Sequence, residues 1–570
     1  MQIVRRPAPD RVDLSGVVHP RIADIYASRG IKHSGQLDTS LQALTHYQQL
    51  KGIGQAASVL ADTIETGRRL VIVGDFDADG ATSTALCMLA LARMGCQGHQ
   101  YLVPNRFDFG YGLSPEIVDV AAQMQAEVIM TVDSGIACLV SVERANQLGI
   151  DVVITDHHLP GEQLPEAKAI VNPNQLGCDF PSKHLVSVGV AFYLMLALKA
   201  ELTQRGWFTQ RSAPNLAELL DIVAVGTVAD VVRLDDNNRI LVHQGLQRIR
   251  SGRCRPGIIA LMEVANRQAS RLTAADLGFV VGPRLNAAGR LDDMALGIEC
   301  LLCDDTYQAR EIASRLDGLN RERREIESGM QQEAIKALQS LALTEDSVPH
   351  GICLYQADWH QGVIGILAGR IKERYHRPTI AFAHQDDDII KGSARSIPGL
   401  HMRDLLDEVN TAHPGLISKF GGHAMAAGLS LPVKNLPDFE AAFNHTAKKL
   451  LGDTPPQRQI LSDGQLSDAD LSLEFARLLK QAGPWGQGFE EPCFDGYFEL
   501  QSQRVVGENH LKMQVKTETG LLLDAIAFNV DRDHWPNALA HHVHLAYKLD
   551  VNEFRGRVSV QLLVDALLPA

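Results

Sequence analysis

The sequence predicts a multidomain α/β protein that ends in a small all-β barrel. Apolar runs of strand length alternate with helical stretches in the first part of the chain, which is typical of a parallel sheet covered on both faces. A long charged helix leads to a second, smaller α/β region, and short alternating runs separated by turn signals fill the last part. With 570 residues, more than one hydrophobic core is expected.

The composition is that of an ordinary globular protein, with 45% hydrophobic and 21% charged residues. The net charge of −14 argues against a surface that coats duplex DNA, although a local basic groove remains compatible with it. No apolar run approaches the roughly 20 residues of a membrane helix, and the N-terminus has no signal-peptide pattern. We therefore expect a cytoplasmic protein with no membrane contact.

The nine cysteines are scattered and odd in number, which predicts reduced thiols in a reducing compartment. Cys300 and Cys303 form a C-x-x-C pair without a second pair or nearby histidines. Two neighbours on a helix are therefore favoured over a zinc site.

Five segments are predicted along the chain. Residues 1–47 form an N-terminal arm with one helix, and residues 48–265 form the first α/β domain. Residues 266–345 form a connecting segment with the long helix, which precedes the second α/β domain at 346–455. Residues 456–570 form the barrel, in which Tyr497, Phe498 and Phe528 are expected in the core.

Four apolar runs of the first domain are predicted as strands, and each ends in an aspartate. The runs are RLVIVGD (69–75), EVIMTVD (127–133), DVVITD (151–156) and DIVAVGTVAD (221–230). The acids are Asp75, Asp133, Asp156 and Asp230, with Asp77 and Asp79 just after the first run and His157 and His158 directly after the third. Because the carboxyl ends of parallel strands meet at one edge, these side chains are expected to converge.

Carboxylates this close repel one another unless cations neutralise them. Oxygen ligands with one or two imidazoles suit Mn²⁺ or Mg²⁺, and two such ions roughly 3.5–4 Å apart would support phosphoryl transfer. A single aspartate at a strand end is often a helix cap, as Asp133 could be. Its recurrence at four run ends favours a metal site.

Phosphate-binding motifs of nucleotide enzymes are absent, since the chain has neither a P-loop nor a G-x-G-x-x-G fingerprint. Several glycine-punctuated motifs instead predict loops that could hold an oxyanion. The candidate substrate-binding residues are Arg284, Asn286, Arg290, His360, Arg370, Ser393, Arg395, Ser396, Gly421, Gly422 and His423.

Eight motifs together resemble the DHH phosphoesterase superfamily, and within it the exonucleases specific for single-stranded DNA. They are GDFDADGATS, TVDSGI, TDHH, GTVADVV, RLNAAGRL, WHQGVIGI, SARS and GGHAMAAG, in the family's order over about residues 70–430. The resemblance implies a DHH catalytic domain, a smaller DHHA1-type domain joined to it by the long helix, and a C-terminal OB-fold.

The resemblance further implies a 5′-to-3′ exonuclease of recombination and repair that releases 5′-mononucleotides with two Mn²⁺ or Mg²⁺ ions. The implied metal ligands are Asp75, Asp77, Asp79, Asp133, His157 and Asp230, and the implied catalytic residues are Asp79, Asp133, His157 and His158. A cleft between two domains would admit one strand and exclude a duplex. The implied partners are single-stranded DNA, a helicase and a single-strand-binding protein, and a monomer is expected.

Two other functions remain open from the residues. One is a phosphoesterase of the same superfamily that cleaves pyrophosphate, a cyclic dinucleotide or very short oligonucleotides; such enzymes generally lack a trailing barrel. The other is a catalytically inactive nucleic-acid-binding protein. That function predicts missing metal ligands, whereas this chain carries all of the acids.

Overall fold

The computed structural model consists of two compact units. The first unit comprises residues 3–317 and 460–570, and the second comprises residues 1–2 and 318–459. The structure describes residues 2–7, 12, 14, 16–105, 112–340, 348–386, 388–452, 457–532, 534–554 and 556–570. Within these ranges, no helix has the length and apolar character needed to cross a membrane. The domain boundaries drawn from the sequence remain predictions.

A five-stranded parallel sheet forms the centre of the first unit, in the order β3-β2-β4-β5-β6. Its strands are β2 (Leu70–Val73), β3 (Gln100–Leu102), β4 (Val128–Val132), β5 (Asp151–Thr155) and β6 (Ala169–Val171). The central strands β2 and β4 are buried along their whole length. Burial on both faces explains why they read as unbroken apolar runs.

In the first unit, twelve α-helices of the described residues precede the long connecting helix. They are α1 (Pro20–Ser28), α2 (Ile53–Thr66), α3 (Ala78–Met94), α4 (Pro115–Gln123), α5 (Leu139–Gln147), α6 (Ser187–Gln204), α7 (Leu220–Ala229), α8 (Asp236–Arg250), α9 (Pro256–Glu263), α10 (Ala274–Asp276), α11 (Gly282–Leu291) and α12 (Ala295–Leu302). A π-helical stretch, Leu277–Val281, leads into α11.

The run 221–230 is not a strand, and this sequence prediction was wrong. It lies in helix α7, which contacts α3 and α8 and is buried from Leu220 to Thr227. A helix buried on all sides has no polar face, so hydrophobic periodicity cannot distinguish it from a buried strand. Asp230 consequently follows a helix rather than a strand.

The second unit contains a mixed sheet in the order β10-β11-β9-β8-β7, in which β7 and β8 are parallel. The strands are β7 (Ile352–Tyr355), β8 (Thr379–His384), β9 (Ile389–Arg395), β10 (Lys419–Gly422) and β11 (Ala426–Pro432). Helix α13 (Thr306–Ser340) begins in the first unit, and α14 (Ile364–Tyr375), α15 (Met402–Ala412) and α16 (Leu436–Leu451) follow it. The predicted connecting helix and second α/β region are both present.

The C-terminal strands close into a barrel in the order β13-β14-β15-β17-β16, as the sequence predicted. They are β13 (Phe494–Val506), β14 (His510–Lys516), β15 (Leu522–Ala527), β16 (His542–Phe554) and β17 (Arg557–Pro569), preceded by helix α17 (Leu473–Gln481). Phe498 is a core residue, whereas Tyr497 is 54% and Phe528 is 51% exposed. Adjacent strand residues face opposite sides, so Tyr497 and Phe498 cannot both point inward.

The N-terminal arm packs against the segment that leads into the barrel. Strand β1 (Gln2–Arg5) pairs with β12 (Gln459–Ser462), and the Tyr26 ring packs against Trp485 and Phe489. Arg29 forms a buried ion pair with Asp463, in which Nη2 donates to Oδ2 at 2.8 Å. The two side chains are 1% and 4% exposed, so the buried Arg29 charge depends on Asp463, whose carboxylate also lies 3.6 Å from Arg6 Nε.

Replacement of Asp463 by alanine is expected to lower the stability of the first unit strongly. The Arg29 guanidinium would stay buried without a counter-charge, at a cost of about 3–5 kcal/mol. Glu218→Ala removes an exposed partner of Arg93 and should cost about 1 kcal/mol or less. Urea denaturation midpoints of the two variants measure the difference. Equal shifts would show that the Arg29–Asp463 pair contributes no more than a surface pair.

Candidate metal centre

The turn from β2 into α3 carries three of the predicted acids. Asp77 is the N-cap of α3, and its Oδ1 accepts hydrogen bonds from the backbone N–H of Asp79 at 2.9 Å and of Gly80 at 3.0 Å. Asp79 lies in the first helical turn, where the helix dipole favours a carboxylate. Asp75 and Asp79 are buried, so their carboxylates face the interior of the unit.

Asp133 follows strand β4 directly and has an unusual backbone conformation. Its φ is +62°, in the left-handed region that residues other than glycine seldom adopt. Such conformations persist where the surrounding structure holds them, and they cluster at functional sites. The Asp133 carboxylate is buried, and it accepts a hydrogen bond from the Ser187 hydroxyl at 2.9 Å.

Asp156, at the end of β5, holds the two histidines that follow it. Its Oδ1 accepts the backbone N–H groups of His157 at 2.7 Å and His158 at 3.0 Å, and it lies 2.7 Å from His158 Nδ1. Asn174 and Asn172 donate to the carbonyl groups of His157 and His158 at 2.6 and 2.9 Å. Asp156 and the two asparagines therefore fix the loop, while the histidines face the acids.

The acids and histidines meet in three overlapping groups whose candidate ligand atoms lie within 4.8 Å of one another. These groups are Asp133–His157–His158, Asp79–His157–Asp230 and Asp75–Asp77–Asp133. His157 occupies the middle, with Nε2 at 3.4 Å from Asp133 Oδ1, 3.8 Å from Asp230 Oδ2 and 3.9 Å from Asp79 Oδ2. The structure brings together all seven residues that the sequence predicted as metal ligands or catalytic groups.

Asp230 joins this cluster from the C-terminal end of α7. The next residue, Val231, has a φ of +61°. This is a costly conformation for a β-branched side chain. The chain therefore turns sharply away from α7 immediately after placing the Asp230 carboxylate beside His157. The sequence predicted Asp230 at this site but placed it at the end of a strand, whereas it follows a helix.

Burial and mutual repulsion disfavour full ionisation of the acids. Burial raises the pKa of Asp79 to about 7, and the charge of Asp77 adds to the shift. Burial also raises the pKa values of Asp133 and Asp230 well above their usual range, with neighbouring aspartates contributing. Divalent cations would relieve this repulsion, and a donor set of carboxylates with imidazole fits Mn²⁺ or Mg²⁺.

The Asp156–His158 pair behaves in the opposite way. Burial alone would raise the pKa of Asp156, but the hydrogen bond and charge of His158 hold it below its usual value. Burial alone would lower the pKa of His158, but Asp156 raises it to about 9. This pair therefore favours a carboxylate beside a protonated imidazole.

Helix α11 packs directly behind the acidic turn. Asn286 Oδ1 accepts the backbone N–H of Ala78 at 2.9 Å. A Cβ on Gly289 would lie 1.8 Å from the Phe76 carbonyl oxygen, so this close approach requires glycine. Arg284 is buried in an ion pair with Asp317 at 2.8 Å and also donates to the Val280 carbonyl.

The sequence predicted Arg284, Asn286 and Arg290, in a Gly/Ala-rich segment, as substrate-binding residues, and all three lie on helix α11. Asn286 contacts the acidic turn through Ala78, whereas Arg284 is held by Asp317 and the Val280 carbonyl. The role of Arg290, which is partly exposed, stays a prediction.

The second unit brings several predicted substrate-binding residues to one end of its sheet. The motif SARS does not form a loop as predicted, since Ser393 and Arg395 lie on strand β9. A Cβ on Gly365 would lie 2.8 Å from Ser393 Oγ and 2.9 Å from Arg395 Nη2, so the first turn of α14 packs closely over both side chains. Burial lowers the pKa of Arg395. A guanidinium beside a helix N-terminus suits an anion.

The candidate residues of the GGHAMAAG motif lie on strand β10 and in the turn that follows it. Gly421 and Gly422 are on β10, and exposed His423 is in the turn to β11. That turn reaches the end of β9, where the Ser396 N–H donates to the Met425 carbonyl at 2.9 Å.

The side chains of His360, Ser396 and Arg370 have partners inside the unit. His360 Nδ1 accepts the Gly362 N–H at 3.1 Å. Ser396 is buried and donates to the Leu400 carbonyl, and Arg370 donates to Glu327 at 2.9 Å.

Sequence reasoning missed Ser187, Asn172 and Asn174. Ser187 begins a helix within an apolar stretch, and the two asparagines lie in a turn-rich segment. No spacing in the sequence links any of them to the acids, because their contacts arise only when the strands and helices are assembled.

Comparison with known proteins supports this arrangement. Family models match residues 69–227 (DHH family, N-terminal domain), 349–449 (DHHA1 domain) and 462–566 (RecJ OB domain). The chain is 57% identical over 571 residues to the single-stranded-DNA-specific exonuclease RecJ of Dickeya dadantii (strain 3937), covering 100% of this chain and 99% of that relative. The chain belongs to the RecJ family.

Solved RecJ structures agree with this membership. The crystal structure of RecJ from Thermus thermophilus in complex with Mn²⁺ has a TM-score of 0.81 and 28% identity, covering 99% of this chain and 79% of that chain. The Mg²⁺ complex from the same organism has a TM-score of 0.77 and 27% identity, covering 99% and 78%. The predicted family and fold class are confirmed.

Substitution of Gly289 by alanine is expected to disturb the acidic turn. The new methyl group would displace the Phe76 carbonyl or shift α11, which should lower the urea denaturation midpoint and weaken Mn²⁺ binding in a calorimetric titration. Gly54→Ala is the matched control, because a Cβ there meets no atom within 4 Å in helix α2. That change should stabilise the unit by at most about 1 kcal/mol. Similar behaviour of the two variants would contradict the close packing of α11.

Proposed function

We propose that this chain is an exonuclease that degrades single-stranded DNA from the 5′ end, releases 5′-mononucleotides by two-metal-ion hydrolysis and serves recombination and repair. The observation that carries the proposal is the convergence of Asp79, Asp133, Asp230 and His157 at one edge of the sheet. It occurs in a chain that matches a named single-stranded-DNA-specific exonuclease from end to end. Polarity and product follow from the family resemblance.

Asp75, Asp77, Asp79, Asp133, His157 and Asp230 would hold the ions. When bound, Mn²⁺ or Mg²⁺ supplies Lewis-acid activation of water and neutralises charge on the phosphate. The residues themselves supply a rigid, largely buried donor set. Asp77 is fixed by the helix cap that it forms, and Asp79 and Asp133 are fixed by hydrogen bonds from the start of α6.

The reaction adds water to phosphorus and breaks the P–O3′ bond of the terminal nucleotide. The leaving O3′ oxygen must gain a proton. Asp156 fixes Nδ1 of His158, so a proton given to O3′ would come from Nε2 of that imidazole. The Asp156 carboxylate raises the pKa of His158, which favours the protonated imidazole that such a donor requires.

The second unit and the barrel would bind the DNA. Arg395, Ser393 and the first turn of α14 suit a backbone or terminal phosphate. The exposed rings of Tyr497 and Phe528 suit base stacking on the barrel. The match of a RecJ OB domain to residues 462–566 favours a polynucleotide over the small substrates of other DHH phosphoesterases.

We further propose a cytoplasmic monomer that receives single strands from a helicase and acts with a single-strand-binding protein. Support for these partners comes from the family resemblance, and the nine scattered cysteines support a reducing compartment.

Asp79→Asn is expected to lower the rate of nucleotide release by at least about 100-fold, because it removes a charged oxygen from the cluster. Asp119→Asn, at an exposed acid paired with Arg144, is the control and should leave the rate unchanged. The assay follows a strand labelled at the 5′ end or at the 3′ end, with Mn²⁺ or with EDTA.

Early release of the 5′ label as a mononucleotide, abolished by EDTA, is the expected result. Activity in EDTA would contradict a metal mechanism, and early release of the 3′ label would contradict the polarity.

Arg395→Ala is expected to weaken binding of single-stranded DNA by roughly tenfold or more, the effect of losing one charge-assisted hydrogen bond. Arg374→Ala removes the same charge from an exposed position on α14 and serves as the control. Fluorescence anisotropy with a labelled strand measures both affinities, and Mn²⁺ titration should give wild-type values for each variant. Equal losses in DNA affinity would indicate a general charge effect instead of a phosphate site.

A further inference from the structure

The start of helix α6 contacts two of the candidate metal ligands at once. The backbone N–H of Ser187 donates to Asp79 Oδ2 at 2.9 Å, and that of Val188 donates to Asp79 Oδ1 at 3.0 Å. The Ser187 hydroxyl donates to Asp133 Oδ1 at 2.9 Å. One residue therefore joins carboxylates that follow two different strands, β2 and β4.

These contacts are shielded from solvent, since Ser187, Asp79 and Asp133 are all buried. A buried hydrogen bond to a carboxylate is short, directional and stronger than one between neutral groups. The position of α6 is in turn fixed by its packing against α2 and α3. Ser187 can thus fix the carboxylates of Asp79 and Asp133 relative to helix α6.

The Ser187 hydroxyl is not used as a helix cap. Serines near helix starts usually accept a hydrogen bond from a backbone N–H of the first turn. Here the N-cap position belongs to Val186, and the helix start has no side-chain cap. The Ser187 hydroxyl donates instead to Asp133, away from its own helix.

Asp133 combines a strained backbone with a central place in the cluster. Its left-handed φ of +62° must be held by the surrounding structure, and its Oδ1 atom is also the one that lies 3.4 Å from His157 Nε2. A rotation of this carboxylate would move the oxygen that lies nearest the centre of the cluster. The hydrogen bond from Ser187 opposes that rotation.

We propose that Ser187 is a positioning residue of the metal centre, which holds Asp133 through its hydroxyl and Asp79 through its backbone amide. The inference rests on the proposed metal-dependent function. Partners that orient metal ligands typically contribute about 10–100-fold to metal affinity or activity. Ser187 is expected to act within this range, without touching the DNA itself.

The test compares Ser187→Ala with Ser182→Ala in the full-length protein. Ser182 is a suitable control because it is also buried and its hydroxyl donates to the carboxylate of Asp235 at 2.7 Å, away from the candidate ligands. Both variants lose one buried hydroxyl that donates to an acid. Free Mn²⁺ is measured by electron paramagnetic resonance as the DNA-free protein is titrated.

The expected result is an Mn²⁺ affinity at least about tenfold weaker for Ser187→Ala than for Ser182→Ala and the wild type. Nuclease activity of Ser187→Ala should be lost at low Mn²⁺ and recovered at high Mn²⁺, with the KM for DNA unchanged. A residue that merely supports the fold would not give this recovery. Metal-free denaturation midpoints confirm that both variants fold.

Wild-type Mn²⁺ affinity in Ser187→Ala, or an equal loss in Ser182→Ala, would overturn the inference while leaving the proposed function intact. A wild-type protein that neither binds Mn²⁺ nor releases nucleotides would overturn the proposed function itself, and the role of Ser187 with it.

Discussion

Repulsion between buried carboxylates is the constraint on which the first unit depends. Asp79 and Asp133 lie in the interior, within a few ångströms of Asp75, Asp77 and Asp230. Side chains in such a place would separate or become protonated unless the surrounding structure held them and cations compensated their charge. The arrangement of strands and helices around the cluster can be understood as the means of holding it.

Each neighbouring strand or helix restricts a different movement of the acidic side chains. The parallel strands β2 and β4 set the spacing between the acids that follow them. The first turn of α6 fixes the orientation of two carboxylates, and α11 blocks movement of the acidic turn from behind through the approach of Gly289 to Phe76. The candidate ligands thus lie at or directly beside the ends of regular elements, which keep their positions more constant than long loops would.

The sequence predicted the acids and histidines because a simple rule connects sequence to space at the edge of a parallel sheet. Asp75, Asp133 and Asp156 follow strands, so their convergence needed no knowledge of packing. Asp230 was predicted to lie there although α7 was taken for a strand, since an apolar run of that length suits either element when fully buried.

Residues that act through tertiary contacts were not predictable in this way. Nothing near Ser187 or Asn286 in the sequence indicates that one meets Asp133 and the other meets the backbone of Ala78. Glycines in the GSARS and GGHAMAAG motifs suggested loops, but Gly392 and Gly428 lie on the paired strands β9 and β11. Exposure of Tyr497 depended on which face of β13 turns inward, and alternation alone does not choose between the two faces.

The ion pair between Arg29 and Asp463 spans 434 positions of the chain. In chain order, the second unit is inserted between the two parts of the first. The buried Arg29 guanidinium of the N-terminal arm is neutralised only after the last part of the chain has been synthesised. Domains tend to fold in the order in which they are synthesised. Here the parallel sheet and the second unit can form while translation continues, but completion of the first unit is postponed until its C-terminal portion emerges. A chain truncated before its C-terminal portion would thus contain all of the candidate metal ligands but an incompletely folded first unit.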